Sequence, residues 1–234
     1  MTAGFVALWN NNQREYVATP ADEWGTTAAI QGAFANGRER GVRTYGLYYC
    51  RWSSPWQYLT FWVSPTTDAI FDTIADLERA GDFKYADSLH RVGVFVDDET
   101  YRTPGAWEIV PEPVEGSPPP LGVVLIERRS APPSAERARG GQSVRREMPA
   151  VAADLGIRMY GAFDGRFGGD WDRFTFWTAP DLAAVERALG WLERALGPDL
   201  PEMQCITGRL DRYFRFGNHL QTELTWLNKE ETAR

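Results

Sequence analysis

The stretch that decides the fold runs from Gly41 to Ala80 and reads GVRTYGLYYCRWSSPWQYLTFWVSPTTDAIFDTIADLERA. A second copy, GIRMYGAFDGRFGGDWDRFTFWTAPDLAAVERALGWLERA, spans Gly156 to Ala195, and the two align without a gap at an offset of 115 residues. Of the 40 aligned positions, 15 are identical, whereas chance would give about two or three. The chain therefore contains an internal duplication.

Each copy lies inside a longer unit with the predicted order β-α-β-β-α-β. A short apolar run opens the unit, and a helix follows it. Two strands joined by Ser, Pro and Gly residues come next, and then an amphipathic helix that begins after Pro65 or Pro180. A last strand closes each unit, at about 89–96 and 203–210. This order is the ferredoxin-like motif, so we expect an α+β fold of two tandem units.

The division of the chain follows from the repeat. We expect a first ferredoxin-like half over residues 1–97, a linker over 98–120 and a second half with a C-terminal tail over 121–234. The linker is acidic and rich in proline, and it ends in three consecutive prolines. Such a segment favours extended backbone, which suits a connection between two sheets.

A ferredoxin-like unit covers one face of its sheet with helices, so the other face must be buried against something. A sister unit in the same chain would cover it. The duplication and element order resemble the dimeric α+β barrel superfamily in its single-chain tandem form. That superfamily includes antibiotic-biosynthesis monooxygenases, polyketide cyclases and the chlorite dismutase and coproheme decarboxylase group. The resemblance implies a barrel-like body made by the two sheets, and it rests on no catalytic motif.

The tandem members of that superfamily bind heme in the C-terminal half through a histidine. The present sequence has no histidine between Leu121 and Asn218, although His219 follows directly. We therefore predict no cofactor and disfavour heme. No cluster of His, Cys and carboxylate residues has the spacing of metal ligands, so no metal site is predicted either.

The alternation of side chains along the strands predicts a mixed polar and aromatic face, which we assign to a cavity between the sheets. The second half carries charges at positions where the first has tyrosine or other uncharged residues, which favours a pocket there. The predicted catalytic residues are His90, Asp164 and Arg173. The predicted substrate-binding residues are Trp9, Asn10, Arg43, Tyr45, Trp62, Arg158, Tyr160, Trp177 and Arg209. The alternatives are a salt-bridge network between the halves, aromatic packing, and a structural histidine at position 90.

The composition limits the function classes. The net charge of −7 argues against nucleic-acid binding. No apolar run reaches the length of a membrane span, and two distant cysteines fit a reducing compartment, so we expect a soluble cytoplasmic protein. A cofactor-independent cyclase, isomerase or oxygenase acting on an aromatic or polyketide-like substrate is the main hypothesis. The alternatives are a carrier of an aromatic or anionic ligand, a heme enzyme and a structural module; a homodimer is also predicted as an option.

Overall fold

The structure is a computed structural model that describes residues 1–11, 20–81, 86–96, 101–109, 111, 117–128, 135–165, 173–210, 214–216 and 222–224. Only the backbone is described for residues 11, 20–28, 135–140, 142, 214–216 and 222–224. The first half contains β1 (Ala3–Asn11), α1 (Pro20–Glu39), β2 (Arg43–Tyr49), β3 (Tyr58–Ser64), α2 (Thr67–Ala80) and β4 (Ala86–Phe95). The second half contains β5 (Leu121–Arg128), α3 (Ala135–Asp154), β6 (Arg158–Asp164), β7 (Arg173–Ala179), α4 (Leu182–Leu196) and β8 (Glu202–Leu210). Two short strands, β9 (Phe214–Phe216) and β10 (Thr222–Leu224), pair with each other.

The eight longer strands form one closed antiparallel barrel in the order β1-β3-β2-β8-β5-β7-β6-β4. Each half contributes four adjacent strands. The halves join where β2 pairs with β8, through Tyr48 and Leu210, and where β4 pairs with β6, through Val94 and Asp164. The predicted fold class, two ferredoxin-like units forming one α+β barrel, is confirmed.

Local sequence signals explain where the second helix of each half begins. The Thr66 side chain accepts a hydrogen bond from the Ala69 amide at the start of α2, and Asp181 caps α4 in the same way through Ala184. These residues satisfy amides that the first helical turn leaves unpaired. Gly81 ends α2 in the left-handed conformation, with φ of 88°, which glycine adopts without a Cβ clash.

The interior of the barrel is filled by a hydrophobic cluster to which both halves contribute. Phe61 of the first half stacks on Phe176 of the second with ring centroids 4.5 Å apart. Tyr45 and Tyr160 are the matched residues of the repeat, and their ring centroids lie 4.8 Å apart. The predicted polar cavity between the sheets is therefore wrong, because aromatic rings from both sheets pack against one another there.

Two further cores lie outside the barrel, one in each half, between the sheet and its pair of helices. We call them the first and second helix-side layers. The first contains Phe5 and Trp62, and the second contains Val123 and Trp177.

The mixed polar and aromatic face of β3 and β7, assigned to the cavity, is the helix side: Trp62 and Trp177 pair with Thr44 and Met159 and lie in the helix-side layers. A bulge in β2 and its counterpart in β6 account for the residues that follow them in those two strands. The pairing of β2 with β3 shifts between Thr44 and Leu47, and Gly46 has φ of 114°. Gly161 has φ of 123° in the matching bulge of β6. Each bulge inserts one residue, so strict alternation assigns the wrong face beyond it. Asp164 therefore lies on the helix side.

Candidate functional site

Strand pairing in the second helix-side layer places charged residues in one row across the sheet. Asp164 of β6 pairs with Arg173 of β7, Arg173 pairs with Glu127 of β5, and Glu127 pairs with Met203 of β8. Glu127 and Arg173 are buried, with 4% and 8% of their surface exposed. Burying charge is costly unless it is paired or bound, so this charged row is the strongest site candidate.

Two residues from outside the sheet, Arg145 of α3 and Tyr101 of the linker, lie beside the charged row. Nη2 of Arg145 lies 3.8 Å from Oε2 of Glu127. Tyr101 is buried in the same layer. Burial raises the pKa of the Tyr101 phenol and the Glu127 carboxylate raises it further, whereas Arg145 and Arg173 oppose that rise. The phenol therefore stays protonated and can donate a hydrogen bond at neutral pH.

The linker is fixed along β6, which explains how Tyr101 reaches this layer. Arg102 forms a β-bridge with Tyr160, and the Thr103 amide donates to the Met159 carbonyl over 2.9 Å. The Thr103 hydroxyl in turn accepts from the Met159 amide. The segment thus pairs with β6 through an isolated bridge, and Tyr101 lies in the second helix-side layer.

Next to the charged row, the second helix-side layer contains polar atoms with no hydrogen-bond partner among the described residues. They are Oγ1 of Thr175, Nε1 of Trp177 and Nε of Arg145. Thr175 and Trp177 are completely buried. Unsatisfied buried polar atoms are uncommon in native proteins and indicate a bound water or ligand.

The matching residues of the first half are fully bonded. Nε1 of Trp62 donates to Oγ1 of Thr60 over 3.2 Å, and Oγ1 of Thr60 donates to the Gly46 carbonyl over 2.8 Å. In the Thr-Phe-Trp sequence of the first half, the tryptophan is therefore hydrogen-bonded to the threonine. In the same sequence of the second half, neither side chain has a hydrogen-bond partner among the described residues.

The structure brings three of the predicted site residues together in the second layer and places three in the first layer. Asp164, Arg173 and Trp177 lie in the second. His90, Trp62 and Trp9 lie on the helix side of the first half, where His90 contacts Phe5 with ring centroids 5.2 Å apart. Burial lowers the pKa of His90. The predicted catalytic set is therefore divided between two layers, so His90 does not join Asp164 and Arg173.

Four other predicted residues lie on the barrel side of β2 and β6. The Tyr45 hydroxyl donates to the Trp107 carbonyl over 2.9 Å, and Nη1 of Arg43 donates to the same oxygen over 3.4 Å. Tyr160 donates to the Ile109 carbonyl over 3.2 Å, and Arg158 precedes it on the same face of β6. These contacts hold the linker over one end of the barrel, which gives the tyrosines a structural role.

Asn10 and Arg209 lie elsewhere. Oδ1 of Asn10 accepts from the Gln57 amide over 2.7 Å, and its Nδ2 donates to the Pro55 carbonyl over 3.3 Å. The Arg209 guanidinium lies over the Trp52 ring, 6.0 Å from its centroid. Both residues are outside the charged row, and their binding roles stay predictions.

Sequence reasoning missed Tyr101, Glu127 and Arg145. Glu127 interrupts the apolar run Leu121–Ile126, and such a charge at a buried strand position was a usable signal. Arg145 takes the place that Ile30 holds in the first half, which the repeat offset also shows. Nothing in the linker sequence pointed to Tyr101, because its position depends on pairing with β6.

Within the described residues, no group of three or more His, Cys, Asp and Glu side chains is arranged to hold a metal ion. The described helices also include none with the length and apolarity needed to cross a membrane.

The fold is shared with chlorite dismutases. A solved structure of a variant of the chlorite dismutase from Candidatus Nitrospira defluvii superposes with a TM-score of 0.66 at 12% identity, covering 90% of this chain and 91% of the other. The imidazole complex of that enzyme gives a TM-score of 0.63 at 13% identity, with 90% and 91% coverage. A third protein, named provisionally as a chlorite dismutase, gives 0.59 at 14% identity, with 90% and 94% coverage.

These likenesses show the α+β barrel fold that the repeat predicted. No family model matches the sequence, and no curated protein matches it. The comparisons do not support the cofactor-independent cyclase, isomerase or oxygenase hypothesis. The prediction that no cofactor is used is contradicted, because chlorite dismutase-like proteins bind heme.

Proposed function

We propose that this chain is a chlorite dismutase-like protein that binds heme in the second helix-side layer. The observation that carries the proposal is the charged row beneath α3, next to three buried polar atoms that have no partner among the described residues. The described part of the first half has the same fold but no charged row, and its matched Thr60–Trp62 pair is hydrogen-bonded, although Oγ1 of Thr44 is a buried atom without a partner there too. A bound molecule with its own acceptor atoms would explain the difference.

The residues of the second layer fit the periphery of heme. Arg145 and Arg173 suit its carboxylates, since guanidinium groups bind carboxylates through paired charge-assisted hydrogen bonds. Trp177 and Tyr101 are buried in this layer, with 0% and 2% of their surface exposed, so a ring would contact them only if the layer opens, and Nε1 of Trp177 would then be a donor. Glu127 holds Arg145 in place from the opposite side.

The described residues of this layer include no histidine. Other side chains that bind heme iron in proteins are tyrosine, cysteine and methionine, and the layer contains Tyr101, Cys205 and Met148. Burial raises the pKa of the Cys205 thiol to about 11, so the thiol is protonated in the protein without iron. His219 lies outside the described residues. Bound heme would supply iron-centred redox chemistry.

A titration with hemin tests the proposal. The purified protein is expected to give a Soret band that saturates at one hemin per chain. Arg173→Tyr replaces the guanidinium by the residue of the first half, Tyr58, and should weaken hemin binding by about tenfold, since a buried charged hydrogen bond is lost. Tyr58→Phe is the matched control and should bind as the wild type does. A protein that gives no Soret band, or two variants with equal affinity, would contradict the proposal.

A second candidate function is a carrier that binds a flat ring system with carboxylate groups and carries out no iron chemistry. The absence of a histidine from the described part of the layer favours it. Metal-free protoporphyrin IX separates the two functions, because it has the same carboxylates and no iron. Equal affinity for protoporphyrin IX and hemin would favour the carrier, whereas clearly tighter binding of hemin would favour an iron ligand in the protein.

A further inference from the structure

A groove lies between α3 and α4 on the outer side of the second half. Its volume is about 510 Å³, within the range of small-molecule pockets, about 300–1,000 Å³. Val151 of α3 and Leu155, which follows its last residue, line the groove with Gly190 and Trp191 of α4, and all four are half-buried. The lining is thus mainly apolar, with one indole available for stacking.

The first half has different residues at the matching positions of its two helices. There, Nη1 of Arg40 lies 2.7 Å from Oδ2 of Asp76, which ties α1 to α2. Asn36 and Arg79 also bond to Asp76. At the offset of 115 residues, Arg40 corresponds to Leu155 and Asp76 to Trp191. The second half has therefore exchanged an interhelical ion pair for an apolar pair.

Gly190 contributes to the shape of the groove. A Cβ at this position would meet Nη1 of Arg194 at 3.4 Å, an ordinary contact, so an alanine would also fit and the glycine only widens the groove by one methyl group. Glycine inside a helix costs about 0.5–1 kcal/mol relative to alanine. The corresponding residue of the first half is Ala75, which shows that the helix itself does not require glycine there.

Four exposed charged side chains surround the apolar lining, two of each sign. Arg187 and Arg194 carry positive charge, and Asp154 and Glu186 carry negative charge. Across the described part of the chain, no ion pair joins any two of these four. The groove thus offers an aromatic surface together with separate cationic and anionic groups.

We propose that this groove binds a small amphoteric aromatic molecule of the aromatic amino acid class. The ring stacks on the Trp191 indole. The carboxylate pairs with Arg187 and Arg194, and the ammonium group pairs with Asp154 and Glu186. This site is separate from the second helix-side layer, so a test of it does not depend on whether the protein binds heme.

Calorimetric titration with three probes tests the charge requirement. L-tryptophan carries both charges, indole-3-acetate lacks the amine, and tryptamine lacks the carboxylate. We expect saturable binding of L-tryptophan, and weaker binding of the other two by about two- to fivefold each, the size expected for one exposed ion pair. Equal affinity for all three probes, or no saturation by L-tryptophan at millimolar concentration, would overturn the proposal.

A double variant that rebuilds the interhelical ion pair tests the location. Leu155→Arg with Trp191→Asp copies Arg40 and Asp76 into the second half and should abolish L-tryptophan binding. The reciprocal control, Arg40→Leu with Asp76→Trp in the first half, should leave the affinity unchanged. Circular dichroism establishes that each variant is folded.

Arg194→Gln gives a second test that does not depend on remodelling the groove. It should weaken L-tryptophan and indole-3-acetate binding by about two- to fivefold and leave tryptamine binding unchanged. Wild-type affinity for L-tryptophan in both Leu155→Arg/Trp191→Asp and Arg194→Gln would place the bound molecule elsewhere and overturn the proposal.

Discussion

The two helix-side layers have the same fold, but one row of matching strand positions is aromatic in the first layer and charged in the second. In the first half the row consists of Trp9, Tyr58 and Tyr49, whose neighbouring rings lie 5.5 and 5.8 Å apart. In the second half the same strand positions hold Glu127, Arg173 and Asp164. The aromatic row is partly exposed and needs no charged partner, whereas the buried charged row does. The comparison indicates that duplication let one half keep a structural layer while the other acquired a polar one.

The largest effect is expected from removing the carboxylate of the charged row. Glu127→Leu removes the anion beside the buried Arg173 and the half-buried Arg145, and breaking a buried charge set costs about 3–5 kcal/mol. We expect urea denaturation to show a loss of unfolding free energy near the lower end of that range, because Asp164 still neighbours Arg173.

A replacement of the whole charged row by its first-half equivalents is the matched control for that experiment. The quadruple variant Glu127→Trp, Asp164→Tyr, Arg173→Tyr and Arg145→Ile should be as stable as the wild type or more so, since well-packed apolar residues often replace buried ion pairs without loss. It should also lose hemin binding. If Glu127→Leu unfolds at the wild-type urea concentration, the charged row does not hold the layer together.

Thr60 and Thr175, which match in the repeat, are expected to differ by a smaller free energy of unfolding when each is changed to valine. Thr60→Val removes the acceptor of Trp62 Nε1 and the donor to the Gly46 carbonyl, so two buried groups lose their partner at a cost of about 1–3 kcal/mol. Thr175→Val removes a hydroxyl that has no partner among the described residues, and it should be neutral or stabilising. Thermal and urea unfolding of both variants, measured without ligand, gives the comparison. Equal losses would mean that the two layers are bonded alike.

The interhelical ion pair predicts a pH-dependent difference between the halves. The hydrogen bond from Arg40 lowers the pKa of Asp76, so the ionised carboxylate stabilises the folded state above its unfolded pKa of about 3.9, and this contribution is lost as the pH falls through the folded pKa. Asp76→Asn should cost about 1 kcal/mol at pH 7. Urea denaturation from pH 7 to pH 3 should show this difference shrinking below about pH 4. A difference that is constant with pH would contradict the assignment.

The fold could be predicted from the sequence because the repeat and the hydrophobic period give the same answer over the whole chain. The face of each side chain could not be predicted, because the bulges at Gly46 and Gly161 add one residue each and because the more polar face of β3 and β7 lies under the helices instead of inside the barrel. The repeat did single out Asp164 and Arg173, since their charges stand where the first half has tyrosines, and their catalytic role stays a prediction. Tyr101 could not be found, because only the closed barrel brings the linker to β6.

His90 and Cys205 occupy matching positions of the two layers, opposite Ala7 and Leu125, and they predict the smallest effect. Burial lowers the pKa of His90, so below the unfolded value of about 6.5 the unfolded state binds the proton first and the folded state loses stability. His90→Cys copies the second half and should remove this loss, by less than about 1 kcal/mol between pH 7.5 and pH 5.5. Unfolding free energies of both proteins at the two pH values test it. A wild-type stability that rises towards pH 5.5 relative to His90→Cys would mean that an acidic partner, rather than burial, governs this histidine.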